Sequence, residues 1–245
     1  MQRILSCISK DKKPPFSQQG LAIPEKDKLQ MQIESRQAVS FSWKDAKRIA
    51  AAVKKLDTLD NSRKEIYAMA FILAAATGLR CGELFALRVN DVNFASGIIR
   101  IDESSDQRTY TIGPCKNAAA YRTVLLADRE GKEAMRMLKK FLNGSIQTPT
   151  AFVFHSRNGS PLRETNVLAD GLHPALAAIG LPKAGMHAFR HGCNRRWELA
   201  GMNPAVLRQM MGHSSSAMTA RYTGEIPLEQ VIVTYCDPKQ IRAVA

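Results

Sequence analysis

Basic, imidazole and phenol side chains in four separated stretches of this sequence could together cleave a phosphodiester. They are Arg80 in TGLRCGEL, Lys116 in PCKNAAAYRTVLL, His187 and Arg190 in HAFRH, and His213 and Tyr222 in MGHSSSAMTARYTG. Two arginines can neutralise the charge of the phosphate in the transition state without a metal ion. A tyrosine hydroxyl can attack, a histidine can accept its proton and a lysine can protonate the leaving 5′ oxygen. The predicted chemistry is DNA strand cleavage, with no metal ion and no other cofactor.

Each of these residues also has an ordinary structural explanation. Arg80 lies beside an apolar run, where Glu83 could hold it in a buried ion pair. His213 could be a capping or core histidine. Tyr222 could be a packing residue with a polar tip, as most tyrosines are. Lys116 could be a solvated charge in a turn. The functional interpretation depends on the whole set occurring together and in this order.

Composition favours a polyanionic partner. The 245 residues carry 35 Lys and Arg against 22 Asp and Glu, a formal charge of +13, which indicates nucleic acid first and an anionic membrane surface second. Five cysteines without a C-x-x-C pair indicate a reducing compartment and no structural metal. The first twenty residues have no apolar signal region, and the longest apolar run, Ile66 to Leu79, is too short to span a bilayer. We therefore expect a cytoplasmic protein.

The first half of the chain predicts an unpatterned arm followed by two helices. Residues 1–40 are rich in Lys, Pro, Gln and Ser without a sustained period, which is typical of a linker or poorly ordered arm. Ser42 and Asp45 predict a cap for an amphipathic helix that continues to Leu56. A second helix, from about residue 63 to residue 77, is apolar nearly all round, as in a protein core, and Gly78 ends it.

The middle of the chain predicts a short helix and a small sheet. Residues 81–87 favour the helix. Three β-prone runs follow, at residues 98–101, 109–112 and 122–126, and they predict a three-stranded antiparallel meander with Lys116 in its second turn.

Helical patterns return after the sheet. They cover residues 128–142 and residues 167–179, with a break expected at Pro174. His187 and Arg190 should lie on one face at the start of another helix, and Asn203-Pro204 should cap a last one that ends at Gly212. The predicted fold is mainly α with a small three-stranded antiparallel β-meander, an α+β fold.

The four stretches and their order resemble the catalytic domain of the tyrosine recombinases, the phage integrase family, over residues 41–224. The resemblance implies a DNA breaking-rejoining fold and site-specific recombination without ATP. It also implies a role for each residue: Tyr222 as the nucleophile that forms a 3′-phosphotyrosine and frees a 5′ hydroxyl, Arg80 and Arg190 on the non-bridging oxygens, His213 as a hydrogen-bond donor to the phosphate, His187 as proton acceptor, and Lys116 as the acid.

The resemblance further implies double-stranded DNA as partner, a tetramer assembled on DNA, accessory DNA-bending proteins and a location at the nucleoid. Residues 225–245 would form a tail that docks on a neighbouring subunit, with docking on its own core as the alternative. The family's usual N-terminal core-binding domain is not recognisable in residues 1–40, so we expect weak, salt-sensitive DNA binding. Within the motif, Gly192-Cys193 stand where small hydroxyl residues are more usual in the family.

Two other functions fit parts of the sequence. A type IB topoisomerase-like enzyme would use the same phosphotyrosine chemistry to relax supercoils, although TGLR and the spacing from MGH to Tyr222 favour the integrases. A DNA-binding remnant that no longer cleaves would fit the missing clamp domain.

Overall fold

The computed structural model of the chain describes residues 39–115, 120–144 and 148–212, and helices dominate these ranges. The helices are α1 (Trp43–Val53), α2 (Asn61–Thr77), α3 (Cys81–Ala86), α4 (Arg129–Asn143), α5 (Glu164–Asn166), a π-helix (Val167–Leu172), α6 (His173–Ala178), α7 (His187–Leu199) and α8 (Pro204–Met211), with a 3₁₀ turn at Val89–Asp91. The strands are β1 (Val92–Asn93), β2 (Ile98–Ile101), β3 (Glu103–Ser105), β4 (Ile112–Pro114) and β5 (Arg122–Leu125). The predicted class, mainly helical with small antiparallel sheets, is confirmed.

Side-chain caps and glycines set the helix ends that the sequence predicted. The Ser42 hydroxyl accepts a hydrogen bond from the Asp45 N–H, and the Asp45 carboxylate accepts one from the Ser42 N–H, which completes a capping box. α1 ends at Val53, three residues before the predicted position, and Leu56 packs on the core from the following turn. Gly78 ends α2 in the left-handed conformation, with φ of 64°.

Helix α2 forms the centre of the core. Every residue from Tyr67 to Thr77 is buried, as the predicted all-round apolar pattern requires. It packs against α1, α4 and α7, and the rings of Phe71 and Phe189 stack with their centroids 5.4 Å apart. This packing places the turn that follows α2, which contains Arg80, beside α7, which contains Arg190.

The strand pairing differs from the predicted meander. β2 pairs directly with β5, with Ile99 opposite Val124, and β1 flanks β2 on its other side. β3 and β4 form a separate two-stranded sheet. The predicted strand over residues 109–112 was wrong in all but its last residue, Ile112.

Asp106 explains this difference. Its carboxylate accepts a hydrogen bond from the Arg108 N–H (2.8 Å), and its carbonyl accepts one from the Tyr110 N–H (2.7 Å). The turn also forces Tyr110 to a φ of 58°. An aspartate that bonds to its own following backbone favours a turn over a strand, so it overrides the β-propensity of Thr109 and Tyr110.

In place of the break predicted at Pro174, the structure has a π-helix just before the proline. Proline has no N–H to continue an α-helical ladder. The N–H of His173, the residue before it, bonds to the carbonyl of Leu168, five residues earlier, which is the π-helical pattern. Gly171 lies in this stretch because a Cβ there would stand 2.6 Å from the ring of Tyr67.

Several predictions lie outside the described residues. They are the arm at the N-terminus, the turn with Lys116, and everything after Gly212, including the tail at residues 225–245. The domain division therefore stays a prediction. Within the described ranges, no helix is both long enough and apolar enough to span a bilayer.

Candidate active site

Arg80 lies between α2 and α3, held by Glu83 in the first turn of α3. Glu83 accepts hydrogen bonds from the Arg80 backbone N–H (2.9 Å) and from Arg80 Nη1 (2.8 Å). The ion pair considered as an alternative from the sequence is therefore present. It does not enclose the arginine, because the Arg80 side chain is 40% exposed while that of Glu83 is 2% exposed. The pair anchors the guanidinium and leaves part of it accessible to a ligand.

Glu83 is shared with a second arginine, Arg122, at the start of β5. Arg122 Nη1 and Nη2 donate to the two oxygens of Glu83 at 3.0 and 2.8 Å, and both side chains are 2% exposed. Burial alone would raise the pKa of Glu83, but the hydrogen bonds and charge of Arg122, with those of Arg80, lower it below its ordinary value. The carboxylate is thus ionised between two guanidiniums.

Arg190 lies in the first turn of α7 and is only 3% exposed. Its Nη1 donates to the carbonyl of Gly78 at 2.7 Å and its Nη2 to the carbonyl of Met211 at 2.5 Å. Burial, followed by the positive charge of Arg80, lowers the pKa of Arg190 to about 10. Among the described residues no carboxylate forms a salt bridge with Arg190, so its desolvated charge is held by direct bonds to carbonyl oxygens and feels the carboxylate of Glu83 only at a distance.

The C-terminus of α8 contacts all three arginines through successive backbone carbonyls. Its last carbonyls each accept a hydrogen bond from a different arginine: Met210 O from Arg122 Nε (2.7 Å), Met211 O from Arg190 Nη2 (2.5 Å) and Gly212 O from Arg80 Nη2 (2.7 Å). The final carbonyls of a helix lack partners within the helix and carry its negative dipole end, so cations suit this position. The next residue in the sequence is His213.

Gly78 allows the approach of α8 to the turn after α2. A Cβ at this position would lie 2.8 Å from Met211 Sδ and 3.3 Å from Cys193 Sγ, and the φ of 64° already disfavours other residues. The same turn presents the Gly78 carbonyl to Arg190. The glycine in TGLR therefore brings the segments of Arg80 and Arg190 together.

His187 begins α7 and its side chain faces solvent one turn before His191. The two rings meet edge to face with their centroids 4.9 Å apart. Partial burial, followed by the charges of His191, Arg190 and Arg80, lowers the pKa of His187 below its ordinary value. The imidazole is therefore neutral at pH 7 and can accept a proton.

The segment that contains these residues matches a known family. The model of the phage integrase family matches residues 41–227. The chain belongs to the phage integrase family. That range contains all six residues that the sequence analysis selected.

Curated relatives of this integrase chain include two kinds of protein. A tyrosine recombinase XerC-like protein of Caldanaerobacter subterraneus subsp. tengcongensis is 26% identical over 245 residues, covering 89% of this chain and 58% of the relative. The transposase from transposon Tn916 of Enterococcus faecalis is 28% identical over 162 residues, covering 62% of this chain and 40% of the relative. The chain thus spans about half the length of the curated relatives that it matches.

Solved structures share the fold. The Tn1549 transposon integrase, in complex with a circular intermediate DNA, aligns with a TM-score of 0.56 and 21% identity over 85% of this chain and 66% of that one. The XerA recombinase aligns with a TM-score of 0.53 and 22% identity over 81% of this chain and 64% of that one.

The structure brings together the three predicted site residues that lie in described segments. Arg80 and Arg190 bond to consecutive carbonyls, and the charges of both lower the pKa of His187. Lys116, His213 and Tyr222 lie outside the described residues. In the described ranges no group of three or more His, Cys, Asp or Glu side chains is placed to hold a metal ion.

The departure from the family's motif after Arg190 has a packing explanation. A Cβ at Gly192 would stand 1.8 Å from the carbonyl oxygen of Phe41, so any larger residue would force the chain before α1 away from α7. Cys193 is buried, and its thiol donates to the carbonyl of Ala76 at 3.4 Å. Both residues fit the space between α7 and its neighbours.

The sequence analysis missed Arg122 and His191. Arg122 shares a strand face with Val124, two residues later, and Val124 is fully buried, so an arginine on the core side of a strand was a signal for an ion pair. His191 is one helical turn after His187, which places the two rings on one face.

Proposed function

We propose that this chain is the catalytic part of a site-specific DNA recombinase that cleaves and rejoins strands through a 3′-phosphotyrosine. The observation that carries the proposal is the convergence of Arg80 and Arg190 on adjacent carbonyls at the end of α8. These arginines come from segments 110 positions apart, since 190 − 80 = 110. Two such cations at one point suit a single phosphate.

The electrostatics support a role in the transition state. Attack on a phosphodiester adds negative charge to the non-bridging oxygens, and preorganised donors stabilise that charge without reorganising. Within the described residues Arg190 is buried and forms no salt bridge with a carboxylate, so a phosphate would supply a direct counter-charge. Arg80, anchored by Glu83 yet 40% exposed, would contact the second oxygen. This arrangement neutralises the phosphate without a metal ion.

The remaining roles rest on the family resemblance. Tyr222 attacks the phosphorus, its proton passes to neutral His187 or to solvent, and Lys116 gives a proton to the departing 5′ oxygen. His213 donates a hydrogen bond to the phosphate. Because the phosphotyrosine ester replaces the phosphodiester bond, a 5′ hydroxyl can reverse the reaction with no ATP, and a hydroxyl from another duplex completes strand exchange.

The partners are proposals too. Double-stranded DNA is the substrate, which the +13 formal charge favours. Four copies assemble on two DNA sites, with accessory DNA-bending proteins where the site requires them. Residues 225–245 dock on the neighbouring copy and control when Tyr222 reacts.

The proposal is tested by covalent capture on nicked suicide duplexes tiled across the DNA that flanks the gene. We expect a protein–DNA adduct on a denaturing gel with the wild-type chain and none with Tyr222→Phe. Lack of an adduct across all duplexes, also after an N-terminal clamp domain is fused to the chain, would contradict cleavage and favour a non-cleaving DNA-binding protein. Relaxation of any plasmid without joining of sites would favour a topoisomerase-like activity.

Lys116 has a separate test. Lys116→Ala should slow cleavage of ordinary DNA far more than cleavage of DNA whose 5′ leaving oxygen is replaced by sulfur, because a thiolate departs without an acid. Equal losses on the two substrates would remove the acid role from Lys116.

A further inference from the structure

Arg122 connects the segments that hold the two phosphate-binding arginines. Its Nη atoms donate to both oxygens of Glu83, its Nε donates to Met210 O at 2.7 Å, and Nη1 also donates to Ala120 O at 3.1 Å. One side chain therefore ties β5 to α3 and to the last turn of α8.

Arg122 does not itself face a substrate. Its side chain is 2% exposed, and its charge is already balanced by Glu83 in a bidentate pair. Arg190 is buried as well, so the paired charge, and not burial, is what distinguishes Arg122: a guanidinium already neutralised by a carboxylate acts only through the groups that it holds.

Two of those groups lead directly to the phosphate-binding arginines. Glu83, held on one side by Arg122, accepts hydrogen bonds from Arg80 on the other. Met210 O, also held by Arg122, precedes the carbonyls of Met211 and Gly212, which orient Arg190 and Arg80. Moving Arg122 would shift both arginines together.

We propose that Arg122 is a positioning residue for strand cleavage, which fixes the distance and orientation of Arg80 relative to Arg190. The inference rests on the proposed function. Lysine cannot replace it, because an ammonium group cannot bond both Glu83 oxygens in one plane and reach Met210 O from the opposite edge. The positive charge would remain, while the geometry would be lost.

The test compares Arg122→Lys with wild type in single-turnover cleavage at saturating protein. A matched control is Arg100→Lys on the neighbouring strand β2, because Arg100 also pairs with aspartates, Asp91 at 2.8 Å and Asp102 at 3.0 Å, but is 58% exposed. We expect the folded Arg122→Lys chain to cleave about 10²-fold more slowly, the loss typical of a misplacement of about 1 Å. Arg100→Lys should cleave at the wild-type rate.

A double-mutant cycle separates positioning from general damage to the fold. If Arg122 acts through Arg80, Arg122→Lys should slow cleavage much less in an Arg80→Ala background than in the wild type. A wild-type rate for folded Arg122→Lys, or full additivity with Arg80→Ala, would overturn the proposal. If Arg122→Lys does not fold, the double substitution Glu83→Gln with Arg122→Gln, which removes both buried charges, is compared with Glu83→Gln alone, so that Arg80 has lost the same anchor in both chains. Slower cleavage by the double variant would support the proposal, and equal rates would overturn it.

A readout without DNA separates this inference from the proposed function. Inorganic sulfate at fixed ionic strength should raise the Tm of the wild-type chain, because it occupies the site between Arg80 and Arg190. Arg122→Lys should show a smaller rise, and an equal rise would overturn the positioning role. A wild-type chain that responds to sulfate but forms no DNA adduct would contradict the proposed function alone.

Discussion

Arg80, Arg122 and Arg190 form a cluster whose two ends balance their positive charge differently. At one end Arg122 and Arg80 share the buried carboxylate of Glu83. At the other, Arg190 is buried with only the carbonyls of Gly78 and Met211 as described partners. Burial lowers the pKa of Arg190 to about 10, while the paired guanidiniums keep Glu83 ionised.

The difference indicates a division of labour. A closed ion pair fixes geometry but has no further need of an anion. A desolvated cation without a carboxylate is costly in the free protein and gains most when a phosphate arrives. Glu83 and Arg122 therefore form the structural end of the cluster, and under the proposed function Arg190 forms the end that binds the substrate phosphate.

The largest expected effect is on stability at the structural end. Glu83→Gln leaves Arg122 buried without its counter-charge, so it should lower the free energy of unfolding by about 3–5 kcal/mol at pH 7. Glu103→Gln is a matched control, since the Arg88–Glu103 pair is 27% and 33% exposed and should be worth under about 1 kcal/mol. Urea unfolding measures both, and equal small losses would remove the structural role of Glu83.

The same pair gives a pH dependence. The pKa of Glu83 is lowered in the folded chain, so its stabilisation is present above the ordinary carboxyl pKa and is lost as pH falls below it. Wild type should therefore lose more stability on acidification than Glu83→Gln does. Parallel curves would contradict the lowered pKa.

The next effect is on cleavage at the substrate end. Arg190→Gln removes a donor aimed at the developing charge and should slow single-turnover cleavage by about 10²–10³-fold. Its loss of stability should be smaller than that of Glu83→Gln, because Arg190→Gln leaves no buried charge without its salt-bridge partner. Arg195→Gln, an exposed site on the same helix, is the control. A stability loss as large as that of Glu83→Gln would erase the distinction between the two ends.

The smallest effect is on the pH profile. His191 is one of the positive charges that lower the pKa of His187, after burial and ahead of Arg190 and Arg80. His191→Asn should therefore move the acidic limb of the cleavage rate to higher pH, by less than about one unit. An unchanged acidic limb would show that His191 does not influence the pKa of the proton acceptor.

Local chemistry made most of the fold predictable from the sequence. The capping box of Ser42 and Asp45 and the left-handed glycine at Gly78 act within a few residues, so the pattern located those helix ends. Strand pairing was harder, because the turn at Asp106 outweighed the β-propensity of its neighbours.

The site was predictable only in part, for a similar reason. Residue types and order identified Arg80, His187 and Arg190, whereas the carbonyl partners at Met211 and Gly212 depend on how α8 packs against α7 and β5. Backbone carbonyls carry no residue-specific signal in a sequence. The shared use of Glu83 by Arg122 likewise depends on the pairing of β5 with β2.

The division between the two ends is tested most directly with DNA in which a methylphosphonate replaces the scissile phosphate and removes its negative charge. If Arg190 serves to balance that charge, Arg190→Gln should cleave the neutral substrate at close to the wild-type rate, while Arg122→Lys should keep its defect. An Arg190→Gln chain that is as impaired on the neutral substrate as on ordinary DNA would contradict the assignment of Arg190 to the phosphate.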